Sequence, residues 1–203
     1  MSNSTKYQAP KDLLKDRVIL ITGAGQGMGR AAALTYAAHG ATVILHGRKV
    51  EKLESVYDEI EALGGAQAAI FPLDLEKAAD QDFAELAQSI RLQLGRLDGI
   101  LHNAAMVFGP APLANQTLEQ WLTMLRVNLA APFSLTRACL PLLKMAPDAS
   151  VIMTSDIHGH VPVAYWGGFA VAKAGVEALV KIQARENRGV FRFVPTRGVG
   201  GNP

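Results

Sequence analysis

The chain has 203 residues, of which 49% are hydrophobic and 19% charged, and its formal charge is +2. That length suits one domain with a substantial core, and no stretch approaches the roughly 20 apolar residues that a membrane span needs. Lys and Arg are scattered without basic blocks or interleaved aromatics, which gives no footprint for nucleic acid, and a single cysteine, Cys139, offers neither a disulfide nor a zinc site.

The opening MSNSTKYQAPKDLLKDR has no apolar secretory segment, so the expectation is a cytoplasmic protein. Residues 1–16 read as an irregular N-terminal arm and 196–203 as an irregular tail of a single domain spanning 1–203. Between them, strands and helices alternate. The strands are RVILIT (17–22), ATVILH (41–46), AQAAIFPL (66–73), LDGILH (97–102), SVIMTS (150–155) and VFRFV (190–194). They are nearly continuous in branched aliphatic residues, as strands buried on both faces are. The intervening segments 29–40, 49–65, 82–95, 118–144 and 169–189 space apolar residues by three and four, and several end in Gly, as helices do. Cys139 lies in the apolar run of the fourth and reads as a buried helix residue. Strict alternation predicts an α/β fold, a Rossmann-type doubly wound parallel sheet.

The first chemical signal is ITGAGQGMGRAAA, where a strand ends at Thr22 and Gly23, Gly27 and Gly29 lead into an Ala-rich helix, with Met28 between the last two. Such glycines allow a tight turn, close approach of a diphosphate to backbone N–H groups, and contact of helix on strand. A glycine turn alone can be purely structural; its place in the first βαβ unit favours a phosphate cradle. After the second strand the chain reads LHGRKVEK. Gly47 stands where an NAD-preferring site has an acid for the ribose 2′-hydroxyl, and Arg48 offers a fork for a 2′-phosphate. The alternative is a solvated basic helix start, since Lys49 and Lys52 follow.

These stretches together resemble the short-chain dehydrogenase/reductase family, over nearly the whole chain up to about Val194. TGAGQGMG matches the family's cofactor-binding TGxxxGxG, Asp74 and Leu75 its adenine-side acidic position, LHNAA (with Asn103 and Ala104) its NNAG segment, and RVN places Asn128 at its helix asparagine. The resemblance implies NADP(H) in preference to NAD(H), a small carbonyl or alcohol substrate and no metal. It also implies a homodimer or homotetramer built on the two long apolar segments. The cofactor-binding set it implies is Gly23, Gly27, Met28, Gly29, Arg48, Asp74, Leu75, Asn103, Ala104 and Lys173.

In that family Ser, Tyr, Lys and Asn handle the proton together. Lys173 and Asn128 match, but the Tyr position is Phe169 and the Ser position is Asp156, followed by Ile-His-Gly. A phenyl ring has no proton to give, and a carboxylate beside a developing oxyanion repels it. Neighbouring groups offer partial substitutes. Ser155 faces the opposite side of the strand unless a bulge intervenes, Tyr165 serves only if the helix begins early, and His158 and His160 sit in a loop beside the expected cleft. Asp156 is expected to pair with Lys173. After VFRFVPTRGVGGNP the family's substrate-covering loop and last strand find no match, so the sheet is either complete or short of its last C-terminal strand. Two functions remain open: an oxidoreductase impaired at Asp156 and Phe169, or a non-catalytic NADP(H)-binding pseudoenzyme or oligomer partner, including a truncated or inactivated variant.

Overall fold

The computed structural model describes residues 9–187 and 191–197. Parts of three expectations lie outside those residues: 1–8 of the arm, 188–190 at the junction of the last helix and strand, and 198–203 of the tail. Six parallel strands, β1 (Val18–Thr22), β2 (Thr42–Gly47), β3 (Ala69–Pro72), β4 (Gly99–His102), β5 (Ala149–Ser155) and β6 (Phe191–Arg197), form one sheet in the order β3-β2-β1-β4-β5-β6. The Rossmann-type doubly wound sheet expected from the alternating runs is therefore present. The order runs outward in both directions from β1 and β4, and the crevice at their carboxyl ends is where ligands bind in such sheets.

The helices are α1 (Gly27–Ala38), α2 (Val50–Ala62), α3 (Asp80–Leu94), α4 (Leu118–Leu125), α5 (Ala131–Leu143), α6 (Ile157–His160) and α7 (Gly167–Glu186). Their apolar stripes close two cores. Ile21, Val43 and Leu45 pack against Ala33, Leu53 and Ile60 of α1 and α2. On the other face Leu20, Ile44, Ile100 and Val151 meet Phe83 and Ile90 of α3, Leu135 of α5 and Val176 of α7. Each fully buried aliphatic side chain contributes about 1.5–3 kcal/mol, which is why unbroken apolar runs become central strands. At the amino end of the sheet, the buried Asp98 accepts from Val18 N at 2.9 Å and is gripped by Arg96 through both oxygens, at 2.8 and 2.6 Å. Burial alone would raise the pKa of that carboxyl; the bonds from Arg96 and Val18 and the charges of Arg96 and Arg17 hold it below its ordinary value.

The structure departs from the sequence reading at three places. The segment read as one helix over 118–144 is interrupted by a π-helical turn, Arg126–Ala130. The backbone of β6 runs to Arg197, so Thr196 and Arg197 of the predicted tail belong to a strand. Residues 11–16 of the predicted irregular arm form turns, fastened to the end of α1 by Leu14 N donating to His39 O at 2.9 Å. No helix among the described residues is long and apolar enough to cross a membrane.

Candidate active site

Strand β1 ends at Thr22, whose hydroxyl accepts from Asn103 N and Ala104 N, both at 3.0 Å, and so fixes the β4 exit against the glycine turn. Gly23 then turns with φ +68°, in the left-handed region that other residues rarely adopt. Gly29, in the first turn of α1, sits so close that a Cβ would meet Gly23 O at 2.2 Å and Asn103 Nδ2 at 2.7 Å. No other residue fits there. The result is a helix N-terminus pressed onto the strand end, with free backbone N–H groups and positive potential directed into the crevice.

That crevice is a cleft of about 460 Å³. Its walls include Gly23, Gly27 and Met28 from the turn, Arg48 after β2, Asp74 and Leu75 after β3, and Asn103 and Ala104 after β4. Eight of the residues predicted for a cofactor therefore line one cavity. Gly29 supports it from behind. Gly47, Lys49 and Lys52 join Arg48 at one end, and Lys52 Nζ is bonded to Gln26 Oε1 across the mouth. Three cations beside a glycine turn suit a phosphate-rich ligand, with the charge-assisted bonds of Arg48 the strongest available. Asp74 Oδ1 accepts from Glu76 N at 3.1 Å, which orders the β3 exit.

Sequence reasoning missed His46, whose signal was one polar residue within the apolar strand TVILHG. It is buried on the cleft wall, and neither ring nitrogen makes a hydrogen bond. Burial lowers its pKa to about 4, so the ring is neutral. His102, two strands away on the same face, bonds Thr136 Oγ1 at 2.8 Å and is lowered to about 3, first by burial and then by His46.

None of the four predicted catalytic positions lines the cleft. Asn128 is buried in the π-helical turn. Its Nδ2 donates to Met106 O at 2.7 Å and Met124 O at 2.9 Å, while Oδ1 accepts from Met106 N at 3.0 Å. Its side chain thus clasps the β4–α4 loop, whose Met106 is part of the cleft wall. Lys173 on α7 is 4% exposed and donates to Thr154 O at 2.8 Å, with Nζ 5.5 Å from the centre of the Phe169 ring. Desolvation lowers its pKa to about 8, against a smaller upward pull from Asp156.

The expected pairing of Asp156 with Lys173 is not what forms. Asp156 caps the short helix α6, accepting from His158 N at 2.9 Å, and its carboxylate contacts His158 Nδ1. Local geometry wins because a capping bond two residues on costs almost no chain entropy. β5 runs to Ser155 with strict alternation and no bulge, so Ser155 faces away and donates to Glu177 Oε1 at 3.1 Å. Tyr165 precedes α7, exposed, with φ +75°, and is not on the helix face of Phe169. His160 Nδ1 lies 3.5 Å from Glu177. Cys139 is buried in α5, and burial pushes its thiol up to about 12, which leaves it inert.

The comparisons with known proteins agree with this geometry. The family model for short chain dehydrogenases matches residues 17–190. An uncharacterized oxidoreductase of Escherichia coli K12, YciK, is 43% identical over 180 residues, covering 89% of this chain and 71% of the relative. A structure from Shigella flexneri 2a str. 301, described as a short chain dehydrogenase complexed with NADP, superposes with a TM-score of 0.89. It is 40% identical and covers 93% of this chain and 80% of that one. A structure from Escherichia coli CFT073, complexed with NADPH, gives 0.90 at 41% identity, covering 94% and 80%. With the family model matched over residues 17–190 and a relative 43% identical across most of both chains, the chain belongs to the short chain dehydrogenase family.

Proposed function

We propose that this chain binds NADP(H) in the cleft, in preference to NAD(H), and that it is an oxidoreductase scaffold whose family-type proton transfer is disabled at Asp156 and Phe169. The observation that carries this reading is the union of a complete cleft with a lysine that has no hydroxyl to act on. Lys173 faces a phenyl ring and a backbone carbonyl, and Ser155 is turned away into a bond with Glu177. Bound NADPH supplies a hydride for a carbonyl carbon. Everything else falls to the protein: the N-terminus of α1 holds the diphosphate, Arg48 and Lys49 hold a 2′-phosphate, and Leu75 and Ala104 exclude water from the base and ribose. The bound cofactors of the two relatives support the choice of ligand, and Gly47 followed by Arg48 supports the phosphorylated form.

A second reading, a non-catalytic NADP(H)-binding partner within a homodimer or homotetramer, is favoured by Phe169 and by the exposed Leu118 and Leu122 of α4 and Phe133 of α5. Fluorescence titration of the purified chain with NADPH, beside a screen of small carbonyl compounds, separates the outcomes. Saturable binding with turnover far below that of family enzymes is expected. Absence of binding overturns the cofactor assignment, and robust turnover overturns the impairment.

A further inference from the structure

The turn after β5 holds a second set of proton-bearing groups. Asp156 Oδ1 lies 2.5 Å from His158 Nδ1 and also accepts from His158 N. A carboxylate that close to a ring nitrogen needs the proton between them, so the geometry assigns Nδ1 as the protonated nitrogen and leaves Nε2 to exchange protons elsewhere. The ring is held on its flat side as well, stacked on Trp166 with centroids 4.1 Å apart and planes 17° from parallel. Trp166 lies 5.9 Å from Phe169, whose ring in turn faces Lys173 Nζ. Gly159 brings the turn onto α7: a Cβ there would come 2.7 Å from the backbone of Lys173. His158 and Asp156 keep side-chain exposures of 21% and 20%, so the pair reaches solvent while Lys173 does not.

We infer that His158, oriented by Asp156, is the proton-exchanging group of this site in place of the phenol that Phe169 lacks. The inference rests on the reading of the cleft as an NADP(H) site for a carbonyl or alcohol. In reduction, the carbonyl carbon gains a hydride from the reduced nicotinamide, the C=O π pair moves to oxygen, and that oxygen takes the proton from Nε2–H of the doubly protonated imidazole. The ring is left neutral and regains its proton from water; alcohol oxidation runs the same steps backward. Asp156 is a positioning residue. Its carboxylate, which would repel an oxyanion if bare, is engaged by the ring and fixes which nitrogen carries the exchangeable proton. Other titratable groups near the pair are His160 on the same turn and Lys173 and Glu177 on α7, with Glu177 held by Ser155 and His160.

The test combines ¹⁵N NMR of the His158 ring with assays of an activated diketone, in the parent, His158→Gln and Asp156→Asn, with NADPH affinity measured for each. The expected results are an Nδ1–H tautomer for the neutral ring and a slow parent turnover that falls about 10²-fold in His158→Gln at unchanged NADPH affinity. In Asp156→Asn the Nδ1–H tautomer preference should weaken and the rate should fall with it, at unchanged NADPH affinity. An Nε2–H tautomer overturns the inference whatever the assay gives. So does a His158→Gln rate equal to the parent's, including two equally inert proteins that both bind NADPH, and that result leaves the NADP(H) reading standing. Failure of the parent to bind NADPH overturns that reading, and the inference with it.

Discussion

Lys173 gives its ammonium to the carbonyl of Thr154 at 2.8 Å, while Asp156, the acid nearest in the sequence to the end of that strand, gives its carboxylate to His158. The buried cation is thus held by a dipole and the face of a phenyl ring, and its pKa falls to about 8 because desolvation outweighs the charge of Asp156. Lys173 therefore faces a phenyl ring rather than a hydroxyl, and Asp156 and Phe169 join one contact network through His158 and Trp166.

We expect the basic end of the cleft to set cofactor choice. A charge-assisted bond from Arg48 to a 2′-phosphate is worth about 1.5–3 kcal/mol, so NADPH should bind at least several-fold more tightly than NADH. Arg48→Ala should erase most of the difference, with Lys49 and Lys52 retaining the remainder. Tryptophan or NADPH fluorescence titration reads both affinities, and equal values in the parent chain would remove the assignment.

Stability should depend on pH through His46 and His102. Both are neutral in the fold, with values lowered to about 4 and about 3, whereas an unfolded histidine titrates near 6.5. The unfolded chain therefore binds more protons at intermediate pH. Stability from these two rings is fully present above about pH 6.5 and is lost as pH falls, at roughly 1.4 kcal/mol per pH unit per ring until the folded values are reached. Urea midpoints should drop between pH 7 and pH 5. His46→Leu, which removes a buried ring without hydrogen bonds, should make the profile shallower; an unchanged slope would contradict the burial of His46 as the cause.

Leu118, Leu122 and Phe133 leave apolar side chains exposed along α4 and α5, and Val171 and Ile182 do so on α7. We expect a homodimer or homotetramer at micromolar concentration by light scattering, and Leu122→Glu should shift it toward monomer. A parent chain that runs as a monomer contradicts the expectation.

Much of this was legible in the sequence, for identifiable reasons. β1, β2 and β4 are apolar on both faces because helices cover both, so their runs stood out, and the glycine turn was visible because Gly29 has no room for a Cβ. The π-helical turn at Arg126–Ala130 was hidden because helical spacing continues across it, as were the three bonds that Asn128 makes there to Met106 and Met124. The partner of Asp156 was hidden for the opposite reason. A long-range ion pair with Lys173 looked natural by family position, but a capping contact two residues away forms more readily. His46 escaped notice because burial without a hydrogen bond is a property of packing, which no residue pattern displays.

We propose that the chemistry was altered at Asp156 and Phe169 beside a cleft that still takes the cofactor. Its most direct measurement follows NADPH oxidation with an activated diketone in the parent, Asp156→Ser, Phe169→Tyr and the double variant. Restoring both hydroxyls beside Lys173 and Asn128 should raise the rate by about 10² to 10⁴-fold, while Phe169→Tyr alone gains much less and Asp156→Ser alone slows the parent by freeing His158. A double variant that binds NADPH yet stays at the parent rate, or a parent already turning over as fast as the double variant, would contradict it.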